Sequence, residues 1–157
     1  MMKNFPHGIV SLFLTSVALL TGIVAISTEN LIFGTGYVAI LIAGFLIVTY
    51  SYCTKCPSRF KCGHVIFGKI AQRIPNRKKA NYSNLDYLGV ILPLLFIMLI
   101  PQLWLWKTTW MFVSFWILMA VSVLEINRFV CLKCSNSKCM LCRNECVKKM
   151  ITTRQNA

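Results

Sequence analysis

Acidic residues are almost missing from this chain: four Asp and Glu stand against seventeen Lys and Arg in 157 residues. The four are scattered, which excludes the paired carboxylates of hydrolytic acid–base chemistry. Histidine is nearly as scarce, with two copies, and neither falls within a long apolar run. That excludes a haem held between membrane spans by imidazoles. No glycine-rich phosphate loop occurs, so nucleotide-dependent chemistry is excluded as well. The four longest apolar runs contain no cysteine, and the first three contain no charge.

Those runs are what the chain does have. Hydrophobic residues make up 57% of it and charged residues 13%, about half the share of an ordinary soluble domain. A bilayer crossing needs about 20 apolar residues. Residues 8–26, 31–52, 87–106 and 110–130 each meet that length, and only the fourth is interrupted, by Glu125 and Arg128 near its end. The expected fold is an all-α integral membrane protein of four transmembrane helices. A cleavable signal peptide is the rival for the first run. Its apolar core exceeds the usual ~7–15 residues, and its small residues Ser11, Thr15, Ala18 and Gly22 recur at the spacing of a packing face.

Lys and Arg set the expected orientation. The loop 53–86 carries Lys55, Arg59, Lys61, Lys69, Arg73, Arg77, Lys78 and Lys79, and the tail 131–157 adds Lys133, Lys138, Arg143, Lys148, Lys149 and Arg154. The short connections on the other side hold only Glu29 and Lys107. Both termini are therefore expected in the cytoplasm, in the cell membrane of a prokaryote, with the net charge of +13 facing anionic lipid. No nucleic-acid module accompanies the charge, and nucleic acid is not an expected partner.

Within the loop, Val65, Ile66, Phe67, Ile70, Ala71 and Ile74 fall at helical spacing before Pro75, which predicts an interfacial helix over 65–74. Pro93 and Pro101 predict a kink or early end in the third span. Trp104, Trp106 and Trp110 read as an outer aromatic belt, and Tyr50, Tyr52 and Tyr87 as an inner one. Asp86 reads as the N-cap of the third span. Glu125 and Arg128 read as an ion pair, one helical turn apart, and His7 as an interfacial residue. No internal repeat is legible.

All eight cysteines lie in the two polar segments. The loop gives Cys53-x2-Cys56-x5-Cys62-x-His64. The tail gives Cys131-x2-Cys134-x4-Cys139-x2-Cys142-x3-Cys146. In a reducing cytoplasm clustered thiols point to metal before disulfides, and a two-residue gap turns both sulfurs onto one ion. The first reading is iron–sulfur, because eight cysteines divide into two sets of four and Cys134-x4-Cys139-x2-Cys142 repeats a ferredoxin spacing. The second is Zn2+, held by Cys53, Cys56, Cys62 and His64 and by Cys131, Cys134, Cys139 and Cys142, with Cys146 left over. The two segments are expected to meet in space as one metal-binding layer at the cytoplasmic ends of the helices.

In layout, with Cys56-Pro57 at an inner helix end and a cysteine-rich tail, the chain resembles the four-span membrane ferredoxins of respiratory chains. It departs from them in the gap before Cys-Pro, two residues instead of three. Four functions follow as expectations. Electron transfer to a membrane partner comes first, then a zinc-stapled scaffold or adaptor docking a protein partner. Handling or transport of soft metal ions and thiol–disulfide exchange come after them. The last suits inward-facing thiols least.

Overall fold

The computed structural model describes residues 5–56, 60, 62, 65–75, 82–134 and 136. Among them every regular element is helical. Helix α1 (Phe5–Ser27) turns tightly into α2 (Leu31–Ser51). A short helix α3 (Val65–Arg73) follows in the loop. Helices α4 (Asn84–Leu99) and α5 (Gln102–Leu105) form one interrupted rod, and α6 (Thr109–Glu125) runs on through a wider turn at Ile126–Val130. Four segments are long and apolar enough to cross a membrane: His7–Ser27, Leu31–Lys55, Asn84–Leu105 and Thr109–Val130. Their outward faces carry exposed Phe13, Leu20, Ile32, Leu94, Ile117 and Leu124. Apolar surface on that scale suits a lipid solvent rather than water.

Helix starts follow from side-chain caps. Asn30 Oδ1 accepts from the Ile32 and Phe33 N–H groups at 2.8 and 3.4 Å and opens α2. At the start of α4 the structure corrects the expected cap. Ser83, not Asp86, is the N-cap, and Asp86 completes a capping box by accepting from the Ser83 N–H at 2.8 Å. The third span consequently begins near 84 rather than 87.

The break between α4 and α5 has a defined cause. Pro101 has no N–H, so the Ile97 carbonyl loses its helical donor. The Tyr37 hydroxyl replaces it, donating to that carbonyl at 2.8 Å from α2, and Gln102 Nε2 donates to the Met98 carbonyl at 2.8 Å. Pro93 is accommodated inside α4 without ending it.

The structure also carries a recurrence of the helical hairpin that is not legible in the sequence. Its second hairpin follows the first at a constant offset of 78, the separation of Glu29 from Lys107. At that offset Leu31 matches Thr109 as the first residue of the second helix, and Ser27 matches Leu105 at the end of the first. Tyr37 matches Phe115, both fully buried, and Gly44 matches Ser122, both buried. Packing repeats too: α1 lies along α6 as α4 lies along α2. Where Ser122 of α6 meets Thr15 of α1, with hydroxyls 2.6 Å apart, Gly44 of α2 meets Pro93 of α4, the residue equivalent to Thr15. A Cβ on Gly44 would stand 3.4 Å from Pro93 Cβ and 2.9 Å from Ile97 Cδ1, so the absent side chain sets the approach of α2 to α4. Glu29 and Lys107, equivalent residues at the two outer turns, pair with each other at 2.6 Å. A residue touching its own equivalent lies beside the symmetry axis. That is the arrangement a pseudo-two-fold along the bundle produces, although α1 packs on α2 more extensively than the α4–α5 rod packs on α6.

The small face predicted on α1 packs as expected: Ser11, Ala18 and Gly22 are buried, and the Ser122 hydroxyl donates to the Ser11 carbonyl at 2.9 Å. The core continues through Ala25, Leu105 and Phe115.

Candidate metal centre at the cysteine end

Each hairpin ends in the same turn. After α2, residues Cys53–Lys55 tighten into a 3-10 turn in which the Cys56 N–H donates to the Cys53 carbonyl at 3.2 Å, and Cys56 leaves extended at φ −69°, ψ 122°. After α6 and its wide turn, Cys131–Lys133 repeats this: the Cys134 N–H donates to the Cys131 carbonyl at 3.2 Å, and Cys134 leaves at φ −73°, ψ 132°. Cys53 and Cys131, Lys55 and Lys133, and Cys56 and Cys134 are equivalents at the offset of the repeat. The sequence Cys-x-Lys-Cys thus occurs twice, in one backbone conformation, at equivalent positions of the two halves.

The first turn is held firmly. Thr54 is fully buried and donates to the Tyr50 carbonyl at 2.6 Å. Lys55, nearly buried, pairs with Asp86, which is 4% exposed and also accepts from the Ser83 hydroxyl at 2.8 Å. The ion pair pins the turn to the start of α4. Phe67 of α3 packs on Phe45 of α2 with ring centroids 4.5 Å apart, so the loop helix lies against the same end of the bundle, with Ala71 fully buried.

The five described cysteines, Cys53, Cys56, Cys62, Cys131 and Cys134, are thiols rather than disulfides, and each is half-buried. Cys53 lies within electrostatic range of Cys62 and Cys56. The tail reaches the loop through Asn136. Its amide, 2% exposed, donates to Cys56 Sγ at 3.4 Å and to the Tyr82 hydroxyl at 3.2 Å. Tyr82 in turn stacks on Tyr52 at 4.4 Å and 13° and lies 6.0 Å from Tyr87. Tyr52 and Tyr87, expected as interface anchors, thus join Tyr82 in an aromatic wall beside the first turn, whereas Tyr50 is exposed.

Among the described residues no group of three His, Cys, Asp or Glu side chains stands close enough to hold a metal ion as the side chains lie. His64, Cys139, Cys142 and Cys146 are outside the described residues, so the two four-ligand sets assigned from spacing are each seen only in part.

Glu125 does not pair with Arg128. Its Oε2 stands 3.3 Å from His7 Nδ1, at ion-pair distance but without a hydrogen bond, and the His7 ring stacks on Phe129 at 4.1 Å and 5°. The reason is topological. Helix α1 begins where α6 ends, and His7 reaches the carboxylate from the neighbouring helix while Arg128 stays exposed.

A cavity of about 380 Å³ lies between α1, α2, α4 and α6, with Leu19, Gly44, Met98 and Met119 in its wall and Phe67 at its cysteine end. Its one lining hydroxyl, on Thr15, is already bonded to the Ser11 carbonyl and to Ser122. An apolar chain fits there, and among the described residues its lining offers no free hydroxyl, amide or charged group.

Comparison with protein-family models, with curated proteins and with solved structures finds no match for this chain. The site therefore rests on its own residues. Spacing found the paired cysteines. It missed Asn136 and Tyr82, which carry no signal of their own, and it missed the Lys55–Asp86 pair. The recurrence of Cys-x-Lys-Cys just beyond the second helix of each hairpin was the signal that could have disclosed the repeat.

Proposed function

We propose that this protein is a multi-pass membrane metalloprotein in which thiolates from the loop and from the tail bind metal at one end of the bundle and clamp its two halves together. The reading rests above all on the contact of Asn136 with Cys56, which brings the tail to the loop at a cysteine sulfur. Chemistry supports it: paired thiols in a reducing compartment are ligands before they are bridges. The Lys and Arg distribution supports an orientation with both termini and the whole cysteine layer in the cytoplasm, against anionic lipid. There the basic, metal-ordered face serves as a docking platform for a protein partner.

Electron transfer through an iron centre is the second reading. One observation favours it, the ferredoxin-like Cys134-x4-Cys139-x2-Cys142 spacing. Among the described residues the apolar cavity offers no free polar group for direct exchange with quinone. Elemental analysis and a visible spectrum of anaerobically purified protein separate the two. Near-integral zinc in a colourless protein supports the clamp. Iron with visible absorbance bleached by dithionite selects electron transfer, and protein without stoichiometric metal overturns both.

A further inference from the structure

The pseudo-two-fold assigns roles to individual cysteines that spacing alone had distributed differently. Reading along the chain groups Cys53 and Cys56 with Cys62 and His64, and groups Cys131 and Cys134 with Cys139 and Cys142. Symmetry groups them across the axis instead.

At the outer end of the bundle the axis passes between Glu29 and Lys107, equivalents that touch. At the other end the halves meet through Lys55 with Asp86, His7 with Glu125 and Asn136 with Cys56, the last at a cysteine sulfur. Asn136 is two residues beyond Cys134, the equivalent of Cys56, so the axis leaves the protein between the two Cys-x-Lys-Cys turns. Each turn supplies two thiols from the same backbone conformation, and a tetrahedral ion needs four ligands. Two such pairs facing each other across a two-fold give a tetrahedral arrangement of sulfurs, which neither pair can complete alone.

We infer that Cys53, Cys56, Cys131 and Cys134 together form one four-thiolate site for a single soft divalent cation, zinc or ferrous iron, on the axis relating the two hairpins. The inference rests on the metal-binding reading above and specifies its ligands. The thiols stand apart in the structure, and the cation draws them together as their four protons are released. Asn136 Nδ2 is then a hydrogen-bond donor to a ligand sulfur, the kind of outer partner that tunes a thiolate centre. Cys62, although near Cys53, is a neighbour of the site and not a member.

Cobalt(II) is the probe, because it reports sulfur ligands through intense visible bands. Full-length protein is purified in detergent without oxygen, stripped of metal and titrated with cobalt. The wild type is expected to take up one cobalt with the spectrum of a tetrahedral tetrathiolate. The double variants Cys53→Ser/Cys56→Ser and Cys131→Ser/Cys134→Ser are each expected to lose that spectrum entirely, and Cys62→Ser to keep it. Retention of the bands by either double variant, or their loss in Cys62→Ser, overturns the shared site while leaving metal binding intact. A wild type that binds no cobalt overturns the metal-binding reading itself. Histidine variants keep the question answerable where serine pairs do not fold. Cys56→His and Cys134→His each give a spectrum of three sulfurs and one nitrogen, and the double variant gives two and two, if the site is shared. If the pairs belong instead to the two sites read along the chain, each single variant gives a mixture, and so does the double, with two sulfurs and two nitrogens at the first site and three sulfurs and one nitrogen at the second.

Discussion

Single residues decide how closely these helices approach and where they break. Tyr37 is the clearest case. Its hydroxyl answers a carbonyl that Pro101 leaves without a donor, inside an apolar bundle where water offers no substitute. Tyr37→Phe is therefore expected to lower stability by roughly 1 kcal/mol, the usual net worth of a hydrogen bond in proteins, read from thermal unfolding in detergent. Gly44 acts by absence. A side chain there meets Ile97 at under van der Waals distance, and Gly44→Leu is expected to cost roughly 1–3 kcal/mol through overpacking. Substitution at Gly36, whose Cβ position meets nothing within 4 Å, is the matched control and is expected to change the unfolding temperature little. Neither role was legible in the sequence. A tyrosine in an apolar run looks like any other aromatic until the proline on the facing helix is known.

At the scale of elements, the four spans were plain from run length alone, because a bilayer makes helix length and apolar character nearly the same measurement. Their ends were less plain. Asp86 reads from the sequence as the N-cap before the third span, yet it is the third residue of α4 and is buried. What permits this is Lys55, contributed from the far side of the loop, and no local pattern announces a partner that distant. The pair makes a sharp prediction. Lys55→Met leaves a buried carboxylate with only its Ser83 hydrogen bonds and no cation and is expected to cost about 3–5 kcal/mol, whereas Lys55→Met with Asp86→Leu is expected to recover most of it. A double variant as unstable as the single would show that the pair does not anchor the first turn. The Glu125 case has the same origin. Arg128 was the obvious partner one turn away, but His7 arrives from a neighbouring helix and takes its place.

At the scale of the molecule, the chain is two helical hairpins, each closed by the same cysteine turn. The repeat escaped a reading by sequence because almost nothing but Cys-x-Lys-Cys is shared at equivalent positions: Tyr37 answers to Phe115, and Gly44 to Ser122. In lipid many apolar side chains serve equally well, so the identity of span residues drifts while their burial persists. The cysteines were legible individually, but their partition was not, since partition depends on which turns the axis brings together. Orientation gives a further prediction from charge alone. A membrane-impermeant maleimide is expected to label the metal-stripped cysteines in inverted vesicles and not in intact cells. Labelling from outside would reverse the proposed topology and revive exchange chemistry at the oxidising face.

The central claim is that thiolates of both halves hold metal at one end of the bundle. X-ray absorption at the edge of the metal found in anaerobically purified, full-length protein tests it most directly. For zinc, the expected first shell is sulfur alone, four atoms at roughly 2.3 Å. A shell dominated by nitrogen or oxygen, or protein that carries no stoichiometric metal, would contradict it.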